Sequence, residues 1–225
     1  MSVVTPESFD KRCLTYRLHD AIEYIERDGT VVVEDYSGHD SREQLSKCAL
    51  LDLSGLQRTG LRGKKAEQVL VQEILGFPEK PNQFELSEEG AIVARLGSTE
   101  CWVFDNPLKP VAGLGMLDIR AMNEPDCYPL YCQHSHAWFA LTGQHLPELM
   151  AKICGVDLRD EAFPQGAIVQ TSVARVGAII LHQVVDDIPM FSILSDSSSA
   201  EYLWHALLDA MQEFEGKPVG LAAFS

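Results

Sequence analysis

Along this chain apolar and polar positions alternate, then recur at helical spacing, then lose all period, and each change of rhythm marks an element. Residues 48–53 are apolar enough for a buried strand, and the following SGLQRTGLRG supplies a second short strand closed by Gly63. Ala66, Val69, Leu70 and Ile74 then recur at helical spacing, with Gly76 and Pro78 as stop signals. Residues 91–96 and 100–104 read as two strands about a tight turn at Gly97 and Ser98. A stretch rich in Gly, Pro and Asn, from Asp105 to about Pro129, reads as a loop.

Alternation resumes at His136. Trp138, Ala140 and Thr142 fall on one strand face and Phe139 and Leu141 on the other; Gly143 turns the chain, and Leu146, Leu149, Met150 and Ile153 form a helical stripe. LRGKKAEQVL and LTGQHLPELM place Leu, Gly and a final apolar residue at the same offsets, which predicts two pseudo-repeated strand-Gly-helix units. Three strands, 167–174, 178–184 and 190–194, precede a long helix with the stripe Ala200, Leu203, Trp204, Leu207, Leu208, Met211 and Phe214. Ser198 with Glu201 three residues later reads as its capping box. Strands follow strands more often than they follow helices, so the expected fold is α+β, with antiparallel-rich sheets and helices packed on one face. Residues 1–45 are weakly periodic apart from the β-branched run 30–33. They read as an N-terminal extension, with a short strand or helix, ahead of a domain spanning 46–225.

Composition adds limits rather than a function. At 225 residues the chain can bury a substantial core without metal or disulfide staples. Its 18 Lys and Arg against 33 Asp and Glu give a formal charge of -15, which repels phosphate backbones and anionic lipid heads. Neither nucleic acid nor a membrane is expected as a partner. The opening MSVVTPESFDKRC lacks the charged start and apolar core of a signal peptide, so a cytoplasmic location is the expectation. Six cysteines without a CxxC pair read as free thiols serving as small buried hydrophobes.

Candidate chemistry is sparse. In CYPLYCQHSH, strand alternation would put Cys132, His134 and His136 on one face, where a thiolate and two imidazoles could hold a transition metal; the spacing fits no standard zinc knuckle, and incidental histidines at a strand edge are the simpler reading. The serines 195–199 lack a nucleophile elbow and serve helix capping. Gly113 and Gly115 make a lone G-x-G without the third glycine of a dinucleotide fingerprint. Glu88 and Glu89, and Asp186 and Asp187, read as solvated turn residues. Gln170, Thr171 and Arg175, near a strand end, are the polar residues first expected to meet a ligand or partner, and no catalytic residue is assigned.

The segment LDLSGLQRTGLRGKKAEQVL resembles the Asp-any-Ser, Gly, Ala and Leu pattern of the aminomethyltransferase (glycine cleavage T-protein) superfamily. Residues 135–176, followed by SSSAEYLWHALLDAMQEF, resemble the gamma subunit of heterotetrameric sarcosine oxidase, through Cys154, Asp157, Leu158, Phe163, Gln170, Thr171, Tyr202, Leu203, Trp204 and Leu207. The resemblance runs from about Lys47 to the C-terminus and implies the T-protein folate-binding fold.

Departures from the pattern are as informative. The resemblance implies a folate-positioning aspartate in the strand matching GAIVAR, where this chain has Ala94 and Arg95, and a glutamate soon after Thr171, where it has SVARV. The Lys-Gly-Cys motif of the folate-dependent iron-sulfur repair relatives is missing too, and KPVGLAAFS matches only the start of the segment leading into later transferase domains. Productive aminomethyl transfer needs positioned charge. What the resemblance implies is therefore a non-catalytic gamma-type subunit that packs against a larger flavoprotein oxidising an N-methyl amine. Flavin and NAD would sit on partner subunits, and tetrahydrofolate is a possible ligand. The alternatives are a stand-alone folate-binding module or degenerate transferase, and a homo-oligomeric scaffold.

Overall fold

A computed structural model describes residues 4–36, 38–73 and 76–225. In chain order the elements are β1 (Ala21–Arg27), β2 (Thr30–Tyr36), α1 (Ser41–Lys47), β3 (Cys48–Asp52), β4 (Arg58–Arg62), α2 (Ala66–Glu73), β5 (Gln83–Leu86), β6 (Ile92–Arg95) and β7 (Glu100–Phe104). Then come α3 (Leu114–Asn123), β8 (Tyr128–Leu130), α4 (Cys132–Ser135), β9 (His136–Gly143) and α5 (Leu146–Ala151). The chain closes with β10 (Ile168–Val173), β11 (Val176–Val185), β12 (Ile188–Asp196), α6 (Ala200–Met211) and β13 (Lys217–Pro218). The fold is α+β, and every strand pairing but the short β13–β3 contact is antiparallel among those with a described register. No helix of the described residues is long and apolar enough to cross a membrane.

Two compact units share the chain. The first comprises residues 1–55, 136–165 and 169–225, and the second residues 56–135 and 166–168. The segment read as an N-terminal extension contributes the β1–β2 hairpin and α1 to the first unit. That unit's main sheet has the order β10-β11-β12-β9-β3-β13. Every residue of β3, and every residue of β9 after His136, is buried, so both faces of these strands are covered and the apolar run 48–53 needs no alternation. β11 and β12 join through Asp186 and Asp187, both at positive φ, the backbone that a two-residue hairpin turn needs. These two acids are turn residues, as their sequence suggests.

The second unit carries the sheet β5-β6-β7-β4-β8, with α2 and α3 against it over a core that includes Leu61, Leu70, Val93, Val103, Leu114 and Leu117. Residues 105–129 are not a loop throughout: α3 occupies ten of them and β8 follows. Leu114, Leu117 and Ala121 bury one helical face, but Met116, Ile119 and Met122 are apolar too and exposed, which blurs the period. The helix over 66–74 is present as α2, although Ile74 lies outside the described residues. The capping box at Ser198 and Glu201 is not formed. Asp196 instead accepts from the Ser198 N–H, and a single 3-10 turn leads into α6.

Gly143 and Gly63 each end a strand at strongly positive φ, +116° and +135°, and each lies where a Cβ would overlap a neighbouring carbonyl, Lys47 O and Asp126 O respectively. Both positions therefore demand glycine twice over, for conformation and for space. Gly143→Ala is expected to cost about 2–4 kcal/mol, seen as a lowered thermal midpoint, because strain and overlap add. Gly155→Ala, where a Cβ meets open space, should change stability by no more than about 0.5 kcal/mol.

Candidate functional site

Asp52 ends β3 and is buried, and a carboxylate held in that position needs hydrogen-bond donors on every side. The chain supplies them from separate segments. The Ser54 N–H donates to Oδ1 at 2.8 Å, closing an Asx turn as the strand ends. On Oδ2, Thr15 donates its hydroxyl and His19 Nε2 lies at 3.1 Å. Tyr36 reaches the other imidazole nitrogen, its hydroxyl 2.8 Å from His19 Nδ1, and Trp204 of α6 meets the ring edge-on with centroids 4.8 Å apart. Ser54 in turn accepts from the Trp138 N–H at 2.9 Å, tying the β3 end to β9.

Electrostatics follow from this packing. Burial alone would raise the Asp52 carboxyl, but the hydrogen bond and charge of His19, with Thr15 and Ser54, prevail and hold it at about 2. Burial, and then the Asp52 charge, push the Cys13 thiol well above its ordinary value and the Tyr36 phenol upward likewise. Cys13 Sγ, a His19 ring nitrogen and an Asp52 oxygen all lie within 4.8 Å of one another, the one such group of three His, Cys, Asp or Glu donors among the described residues.

Each unit also has an open concavity. In the second unit a cavity of about 330 Å³ lies between the 87–91 turn and α3, with Ala91, Val111, Leu114 and Leu117 as apolar floor and Glu88, Glu89 and Arg120 at its rim. In the first, a groove of about 650 Å³ is bordered by Glu43, Lys47, His145, Glu213 and Phe214, where His145 stacks on Phe214. The cavity's lining also includes Ser87, and the groove's Ser46, Gln144 and Glu215.

The residues singled out from sequence lie elsewhere. Cys132 and His134 belong to the four-residue helix α4 and His136 opens β9, so strand alternation does not bring the three to one face; Cys132 is buried while His134 is exposed. Gln170 and Thr171 lie on β10, the edge strand of the first unit's sheet, and Arg175 is in the following turn at φ +71°. Gln170 and Arg175 are exposed and Thr171 is half-buried. All six cysteines are free and buried, as read. Arg95, at a position where the resemblance would place an aspartate, lies over the Phe77 ring and donates to the Pro78 and Glu79 carbonyls at 3.1 and 2.9 Å, and its neighbour Ala94 is fully buried.

No protein-family model matches this chain, and no curated protein matches it. Solved structures do. A chain of the heterotetrameric sarcosine oxidase from Corynebacterium sp. U-96, in complex with pyrrole 2-carboxylate, is similar over 74% of this chain and 85% of its own, with a TM-score of 0.62 and 21% identity. The glycine cleavage system aminomethyltransferase T from Bartonella henselae is similar over 95% of this chain, with a TM-score of 0.72 and 18% identity. The present chain spans 60% of that protein. The fold is that of the T-protein. The family resemblance is thereby matched at the level of the fold.

Asp52 is expected to carry a measurable share of stability. Its folded-state pKa is depressed, so its contribution is fully present above the ordinary carboxylate value of about 3.9 and is lost as pH falls towards 2. Asp52→Asn should destabilise the chain by about 3 kcal/mol at pH 7. In chemical denaturation followed from pH 7 to pH 2, the gap between the two proteins should narrow across that acid window; a constant gap would show that Asp52 does not titrate as described.

Proposed function

We propose that this chain is an accessory, gamma-type subunit of a sarcosine oxidase-like complex, acting beside subunits that oxidise an N-methyl amine and deliver its one-carbon unit to tetrahydrofolate. The observation that carries the reading is the likeness to a chain of a heterotetrameric oxidase, of which this chain covers 85% at a TM-score of 0.62. Arg95 supports it as well. The side chain standing where a folate-positioning carboxylate is expected is occupied in holding the 77–79 turn. Under this reading flavin and NAD belong to the partner subunits, and the chain itself performs no bond-making step.

Two features of the second unit fit a subunit that docks. On α3 the residues Met116, Ile119 and Met122 form a second, exposed apolar stripe, and Tyr128 and Tyr131 are exposed nearby in sequence, on and just after β8. Aromatic and Met side chains of this kind favour interface cores over open solvent. The partner taken here is the flavin-bearing subunit of the complex, because the matched oxidase chain comes from a heterotetramer.

The reading also includes the internal repeat. The order β10-β11-β12-β9-β3 in one unit parallels β5-β6-β7-β4-β8 in the other, and in each a glycine, Gly143 at the end of β9 or Gly63 just after β4, leads from the fourth strand to a helix. A duplicated ancestral unit accounts for both.

Co-expression with neighbouring oxidase-like subunits tests the proposal. The chain should co-elute with a larger flavoprotein, and Ile119→Glu should weaken that association at least about tenfold by placing a charge in an apolar contact. Elution alone in every combination would defeat the subunit reading. Tetrahydrofolate binding by the isolated chain in calorimetry would favour the folate-binding module instead.

A further inference from the structure

The grouping around Asp52 holds more ligand-type donors than a buried carboxylate needs. Thr15, Ser54 and His19 already donate to it, and the Cys13 thiol joins them, with its sulfur, a His19 ring nitrogen and a carboxylate oxygen mutually within 4.8 Å. Donors around a tetrahedral zinc lie about 3.3–3.8 Å apart, given bonds of about 2.0–2.3 Å, so the widest separation has to close by about 1 Å. Three side chains from two segments thus stand near the spacing of a first coordination sphere.

Their outer partners are also those a metal site requires. A ligating histidine is oriented by a hydrogen bond at its other nitrogen, and the Tyr36 hydroxyl occupies that place at 2.8 Å, where its oxygen can accept from Nδ1–H and leave Nε2 for an ion. The Ser54 N–H fixes the second carboxylate oxygen, and Thr15 Oγ1, 3.1 Å from Nε2, is a small neutral oxygen for a fourth position. Charge closes as well. One thiolate and one carboxylate cancel a divalent cation, giving a neutral group for a nearly water-free setting, with the Cys13 proton released to solvent as the sulfur-metal bond forms. Sulfur and imidazole together select a zinc-type ion over magnesium or calcium.

We propose that Cys13, His19 and Asp52 form a structural site for a zinc-type divalent cation, which clasps the N-terminal segment to the end of β3. This goes beyond the accessory-subunit reading and stands or falls apart from it. The test uses the full-length, untagged chain stripped with chelator and titrated with zinc alone, and in parallel with cobalt as a spectroscopic probe. One equivalent of zinc should bind, and cobalt should give a thiolate charge-transfer band that Cys13→Ser abolishes and Cys132→Ser leaves in place. Tyr36→Phe keeps all three donors and should weaken zinc binding about tenfold or more. No stoichiometric binding, or a band that survives Cys13→Ser, overturns the site. Should Cys13→Ser fail to fold, alkylation of wild-type Cys13 with and without zinc decides: selective slowing relative to Cys154 supports the site, and equal rates overturn it.

Discussion

A buried carboxylate organises the first unit. Asp52 cannot shed its charge cheaply where it stands, so whichever segments supply its donors must be held against β3, and they come from two places, the N-terminal segment and the turn just after β3. Thr15 and His19 lie 37 and 33 residues upstream of it. Their side chains commit the otherwise weakly patterned N-terminal segment to one position, a task that scattered apolar residues there, such as the exposed Leu14 and Ile22, do not perform. These polar contacts act beside the apolar burial of Val31, Val32, Val33 and Tyr36 on β2.

The same logic runs through the sheet behind it. β9 is buried on both faces, so burial alone would not distinguish one register from a slip of one residue. Polar pairs break the tie. Trp138 donates its indole N–H to Ser192 Oγ at 3.0 Å, and Ser192 donates to Gln183 at 2.5 Å, linking β9, β12 and β11 diagonally across the sheet. A slip would leave several of these buried groups unpaired, each costing about 1–3 kcal/mol. Gly143 enforces the same register at the strand end, since only glycine admits the Lys47 carbonyl beside it.

Much of this could be read from residues. The continuous apolar run 48–53, the alternation after His136 and the stripe of α6 each reflect burial on faces of a regular element, and a local pattern reports such burial directly. α3 escaped because its apolar residues cover two faces, one packed and one exposed, and because Gly113, Gly115 and the nearby prolines suggest a loop. The Asp52 cluster escaped for a different reason. Its partners share no spacing with it, and the only local sign is a lone acid closing an apolar strand, LDLS, where a solvated turn residue is the ordinary expectation. Long-range polar contacts leave no period to detect.

That cluster also bears on what the T-protein-like scaffold is used for. The Asp-any-Ser pattern by which residues 52–54 resemble the superfamily does structural work here, with both side chains engaged in hydrogen bonds that join β3 to β9 and to the N-terminal segment. The strand where the resemblance leads one to expect a folate-positioning aspartate holds instead a buried Ala94 and an Arg95 tied to backbone carbonyls. Residues that hold the scaffold together match the pattern, while those that would act on a bound one-carbon carrier depart from it. A chain still performing the transfer would need both sets, because binding without positioned charge gives no rate. A chain kept for its shape would need only the first, and this asymmetry is the physical motive for the accessory-subunit proposal.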